Sequence, residues 1–138
     1  MKKNILISII ILSLVVITFF NYSCKDESAE TCDSIVFPDT GTVRYLTHVQ
    51  PLFDCSCAFV GCHGADTKEI RGFSLDDYDN FMTGATRQVI YRGDPDASPL
   101  ILRVEGKVGV RMPPDRPPLS MNQINGLKRW IRQGAPLN

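Results

Sequence analysis

The run Cys55-Ser56-Cys57-Ala58-Phe59-Val60-Gly61-Cys62-His63-Gly64 holds three of the chain's five cysteines and one of its two histidines. Clustering this dense needs a chemical reason. Two thiols can add to the vinyl groups of a haem while an adjacent imidazole ligates its iron, most often in the spacing C-x-x-C-H. Position 59, where the first thiol of that spacing would fall, is Phe59. Cys57 and Cys62 with His63 instead give C-x-x-x-x-C-H, and the small Gly61 lets the extra residues bulge. The same run admits a zinc site of Cys55, Cys57, Cys62 and His63, because thiolate and imidazole are ligands that zinc selects. Its four ligands would then fall in one short run, whereas zinc sites pair two knuckles across a loop. Structural disulfides alone are a third reading, suited to an oxidising compartment.

The elements that must position this cluster are short helices separated by Gly and Pro. Thr47 is expected to cap a helix, with Gln50 three residues on completing a capping box and Pro51 in the first turn. Val49, Leu52 and Phe53 then form one apolar face leading into the cysteines. A second helix is expected from Ser120, again with a Gln three residues later, to a stop at Gly134; Ile124, Leu127, Trp130 and Ile131 make its stripe. Lys128, Arg129 and Arg132 complement its dipole. Two weaker helices are expected near Asp76–Met82 and from a Ser98 cap, with Pro99 at the first helical position, to about Val104. These point to an all-α domain that is too small to be comfortably stable on its own apolar stripes. Something else should fill its centre, and Phe53, Phe59, Leu100, Leu127 and Trp130 are the expected lining.

The N-terminal part reads differently. Ile5 to Phe20 carries no charge and follows Met1-Lys2-Lys3-Asn4, the pattern of a targeting segment that is short for a membrane span. The following Ser23-Cys24 resembles a bacterial lipoprotein signal, with Asn21 standing where that pattern prefers Leu. The resemblance implies residues 1–23 as signal peptide and lipidation at Cys24; an uncleaved signal anchor is the alternative. Either arrangement holds the rest of the chain at a membrane, outside the cytoplasm. Residues 24–43, rich in Asp, Glu, Ser and Thr, read as an acidic solvated tether, and 44–138 as the folded domain. The 138 residues carry 15 basic and 15 acidic groups, so no whole-protein field marks a nucleic-acid binder.

From Tyr45 to Asn138 the order of motifs resembles the small single-haem cytochrome c domains of bacterial lipoproteins and secreted proteins, among which the longer C-x-x-x-x-C-H spacing occurs. The residues that carry this are Val49-Gln50-Pro51-Leu52-Phe53 ahead of the cysteines, Leu75-Asp76-Asp77-Tyr78, the turn Gly93-Asp94-Pro95-Asp96-Ala97-Ser98, Met112-Pro113-Pro114, and Trp130-Ile131-Arg132-Gln133-Gly134-Ala135. The resemblance implies one covalent haem c, thioethers at Cys57 and Cys62, His63 as proximal ligand and Met112 as distal ligand. Pro113-Pro114 and Pro117-Pro118 stiffen the loop that would present Met112. Met82 and Met121 lie on or beside helical stripes, and His48 reads as a helix-surface residue, so they are weaker candidates.

Lipidation at Cys24 and haem at Cys57 and Cys62 would leave Cys32 and Cys55 able to bridge; in the alternative, Cys55 is a spare thiol, and either Cys55 or Cys57 forms the thioether. Iron held by His and Met has no open position, so the expected activity is one-electron transfer to extracytoplasmic redox partner proteins and not enzymatic turnover. A labile Met112 would instead give a gas or peroxide sensor, or a weak peroxidase; zinc would give an interaction module. From Arg44 to Thr86 there are three basic and six acidic residues, against nine and four from Arg87 to Asn138. Arg111 and Arg116, flanking Met112 in the positive half, are expected to pair with haem propionates or face an acidic partner. The expected location is the cell envelope, lipid-anchored to a membrane facing the periplasm or the cell surface.

Overall fold

A computed structural model describes residues 32–138. The signal segment and Cys24 lie outside the described residues. Among those residues there are five α-helices and no β-strand: α1 (Gln50–Ser56), α2 (Lys68–Arg71), α3 (Tyr78–Met82), α4 (Pro99–Val104) and α5 (Met121–Arg132). None is long and apolar enough to cross a membrane. The all-α expectation holds.

The longest helix, α5, starts as its sequence dictates. Gln123 N–H donates to the Ser120 hydroxyl at 3.2 Å, and Ser120 N–H donates to Gln123 Oε1 at 2.9 Å, the reciprocal capping box. It stops where Gly134 takes φ +91°, letting Ala135 N–H return to the Trp130 carbonyl at 2.9 Å. Its stripe of Ile124, Leu127, Trp130 and Ile131 is buried throughout. At the other end of the domain the helical path opens earlier than Thr47. A π-helical turn, Tyr45–Val49, runs directly into α1. The Thr47 capping box does not form, because Arg44 is the turn's N-terminal flank and the Gln50 amide is used elsewhere. Its Nε2 donates to Asp54 Oδ1 at 2.7 Å and to the Leu75 carbonyl at 3.0 Å, and its Oε1 accepts from the Tyr45 hydroxyl.

An aromatic cluster joins the two ends. Tyr45 lies 5.5 Å from Trp130 and edge-on to Tyr78 at 4.9 Å, while Phe53 meets Phe81 edge-on at 5.3 Å. Edge-to-face pairs of this kind add to the burial of their large apolar surfaces. Phe53, Leu127 and Trp130, expected as lining, are therefore enclosed by protein side chains in the core; Leu100 packs partly buried at its edge, and Phe59 is partly buried outside it. The recurring turns have plain physical roles. Ser98, fully buried, does not cap α4 with its hydroxyl but donates to the Asp94 carbonyl at 2.7 Å and accepts from Tyr91 N–H at 2.9 Å. Gly93 N–H donates to the Ile131 carbonyl at 2.8 Å, and the Tyr78 hydroxyl donates to the Ala135 carbonyl at 2.8 Å.

The stretch read as a tether is corrected from Cys32 onward. Residues 32–43 form a strap along α5. Phe37 is 1% exposed, and its ring rests on Gly126, where a Cβ would lie 2.1 Å from Cγ of that ring. Phe37 N–H donates to Asn122 Oδ1 at 2.8 Å, Gln123 Nε2 donates to the Cys32 carbonyl at 2.6 Å, and Arg129 donates to the carbonyls of Pro38 and Asp39. The acidic residues that suggested solvation are indeed exposed at Asp33 and Asp39, but the apolar Phe37 and Val43 between and beyond them supply the burial.

Candidate haem site

Cys57 sits one residue past α1, its N–H donating to the Phe53 carbonyl at 2.8 Å. The chain then turns back on itself. Cys62 N–H and Gly64 N–H both donate to the Phe59 carbonyl at 3.0 Å, and His63 N–H donates to the Cys57 carbonyl at 3.2 Å. Gly61, at φ +79°, is the bulge, a conformation that L side chains adopt only with strain. Asp66 holds it by accepting from Gly61 N–H at 2.8 Å. The loop thus places the backbones of Cys57 and His63 in contact although the sequence separates them by the longer spacing.

The elements that follow lock the histidine. Ala65–Thr67 forms a 3-10 turn that leads into α2, and the Thr67 hydroxyl donates to the Cys62 carbonyl at 2.8 Å. The His63 carbonyl accepts from Leu75 N–H at 2.7 Å. Its ring stacks on Phe73, 4.8 Å between centroids and 18° between planes. Burial, with a smaller contribution from the Arg71 charge, lowers the imidazole pKa, and its buried Nδ1 has no protein partner. A buried polar atom left unpaired in a native fold calls for a partner.

The proline-rich loop touches this motif. Met112 N–H donates to the Arg103 carbonyl at 2.9 Å, and Met112 is partly buried against the core. The Met112–Pro113 peptide is cis. Arg116 lies over the Phe59 ring at 4.1 Å, a cation–π contact that joins the loop to the cysteine motif. Burial, reinforced by the neighbouring Cys62, pushes the Cys57 thiol up to about 12, with Arg116 acting in the opposite direction. Arg111 donates through Nη2 to the Arg116 carbonyl at 2.9 Å, and its buried Nη1 has no protein partner.

Cys32 and Cys55 are joined by a disulfide, and Cys57 and Cys62 remain free thiols. The four-ligand zinc alternative is thereby removed, because the Cys55 sulfur is no longer a thiolate. Among the described residues no group of three or more His, Cys, Asp or Glu side chains gathers around a metal position. His48 is occupied at its Nδ1 by Arg44 N–H at 3.0 Å; Met121 is 69% exposed, and Met82, the last residue of α3, is partly buried.

Sequence reading missed Asp66, Thr67 and Phe73, which orient the loop and ring. Asp66, five residues past Gly61, was the one legible signal, since an Asx side chain commonly satisfies nearby amides of a turn.

The residues present fit a covalent haem. Two free thiols flank a loop that ends on a histidine, and a half-buried imidazole and thioether lie at the edge of the same apolar core. Two buried polar atoms, one on His63 and one on Arg111, also lack protein partners. Residues 60–116 match a family model described as Planctomycete cytochrome C, a span that includes Cys62, His63 and Met112 and begins after Cys57. No curated protein and no solved structure matches the chain. The helical architecture and this similarity together support a cytochrome c-like domain, for which covalently bound haem c is the implied cofactor.

Proposed function

We propose that the domain is an extracytoplasmic one-electron carrier with a single haem c, bonded through Cys57 and Cys62, its iron held by His63 and Met112. The observation that carries this reading is the closure of the C-x-x-x-x-C-H loop, His63 N–H on the Cys57 carbonyl, with the loop that follows Met112 joined to it by Arg116 on Phe59. The haem supplies reversible one-electron exchange at iron. The chain's own residues do the rest. Phe73 fixes the plane of the imidazole, and Thr67 and Asp66 fix the loop that carries it. The four prolines at 113, 114, 117 and 118 lower the ordering cost of the loop that presents the thioether. Arg111 offers a buried N–H to an anionic group such as a propionate. With His63 and Met112 both holding its iron, a bound haem would favour electron transfer over turnover of a bound molecule.

The Cys32–Cys55 disulfide supports an oxidising compartment. The apolar run Ile5 to Phe20 before Cys24 supports a signal peptide of residues 1–23 and a lipid anchor at Cys24, in an envelope membrane facing the periplasm or cell surface. The positive half, with Lys107 and Arg116 exposed and Arg103 and Arg111 partly buried, suits an acidic redox partner protein.

A spectroelectrochemical titration of the purified holoprotein tests the function. One electron per chain and a reduced spectrum unmoved by carbon monoxide are expected. A carbon monoxide shift would replace the carrier with a gas or peroxide sensor, or a peroxidase-like subunit.

A further inference from the structure

We propose that the Cys32–Cys55 bridge sets the register of haem attachment by withholding the Cys55 sulfur, so that Cys57 alone pairs with Cys62. The inference rests on the haem reading above and adds a role for a bond that the reading does not use.

The motif is ambiguous as written. Cys55 and Cys57 are both upstream of Cys62, and either would complete a pair of thiols ending on His63. Two features of the fold separate them. Cys55 lies on α1, and Cys57 lies just beyond its end, where φ −135° departs from the helix. Cys55 is bonded to Cys32 of the strap, whereas the Cys57 carbonyl accepts from His63 N–H at 3.2 Å where the haem loop closes. The anchor of the bridge is built independently of the haem loop. Gln123 of α5 holds the Cys32 carbonyl at 2.6 Å and the Ile35 carbonyl at 3.2 Å, and Phe37 seats the strap on Gly126.

The chemistry of the two bonds also differs. A thioether forms when a thiol S–H adds across a vinyl C=C, sulfur to one carbon and hydrogen to the other, with no net oxidation. The bridge forms when two thiols give up two electrons and two protons to a protein disulfide donor. Cys32 and Cys55 must therefore be oxidised while Cys57 and Cys62 stay reduced. Bridging removes a thiol only two residues from Cys57 that could close a disulfide with it or take its haem.

Wild type, Cys32→Ser, Cys55→Ser and the double variant are made in a host equipped for haem c maturation, and haem-bearing peptides are mapped by mass. Wild type and both variants lacking Cys55 should carry haem on Cys57 and Cys62 only. Cys32→Ser alone should give a mixture, with Cys55 carrying part of the haem or disulfide-bonded to Cys57, or should lose haem content relative to Cys55→Ser. Both single variants lack the bridge, so destabilisation is matched between them. Uniform attachment at Cys57 in Cys32→Ser overturns the proposal, as does an equal loss of holoprotein in the two single variants. Wild type without haem would sink the haem reading itself, a different outcome from either.

Discussion

Replacing Phe37 with Ala separates a packed strap from a solvated tether. Phe37 is 1% exposed, so it removes about 200 Å² from water. At about 25 cal/mol per Å² that corresponds to about 5 kcal/mol. The retained Ala and partial burial in the unfolded chain reduce the expected loss to about 3 kcal/mol. Against a domain stability of about 10 kcal/mol this is a large fraction. Urea unfolding of the disulfide-intact protein, followed by far-ultraviolet circular dichroism, should show the midpoint falling by about 2 M for a slope of about 1.5 kcal/mol/M. Val36→Ala, at a neighbour 65% exposed, should move it little. Gly126→Ala provides a test of sign. Helix propensity alone predicts a gain of about 1 kcal/mol, but a Cβ 2.1 Å from the Phe37 ring predicts a net loss. A Phe37→Ala midpoint equal to that of wild type would refute the packed strap and restore the tether.

Other expectations follow from single contacts. Lys128 of α5 and Glu105, the residue that ends α4, pair at 2.6 Å, with side chains 15% and 17% exposed. Hydrogen bonds from Lys107 and then Lys128 hold the Glu105 carboxyl below its ordinary range, so its contribution is full above the ordinary Glu pKa of about 4.3 and fades as pH falls through the lower folded value. Lys128→Met should cost about 1 kcal/mol near neutrality and flatten the acid limb of a stability–pH profile; an unchanged limb contradicts the pairing. Gly61→Val places a β-branched residue at φ +79° and should lower haem incorporation measured against total protein, whereas incorporation equal to wild type would show that the bulge needs no glycine. Met112→Ala should abolish the sulfur-to-iron charge-transfer absorption of the oxidised holoprotein and lower its potential, while Met82→Ala should leave both in place.

Much of the fold was legible because its determinants are local. The Ser120 box, the Gly134 stop and the α5 stripe each depend on residues within one or two turns of each other. The cysteine motif was legible for the same reason, its thiols and imidazole falling within nine residues. The strap was not. Phe37 finds its partner Asn122 85 residues away, and nothing around Phe37 in sequence signals that contact. Helix α2 has four residues, too few to show a period. Thr47 was misread because a π-helical turn shifts the start of the helical path to Tyr45, and side-chain spacing of 3.6 does not anticipate that turn. The Cys32–Cys55 bridge could be reasoned to only by parity of cysteines; its position over α1 depends on the strap.

We propose that haem is covalently seated at Cys57 and Cys62 beside His63. Protein from a maturation-competent host should be red, and after denaturing electrophoresis its band should retain haem peroxidase staining, which Cys57→Ser/Cys62→Ser abolishes. A colourless wild-type protein, or staining that survives the double substitution, would contradict the account.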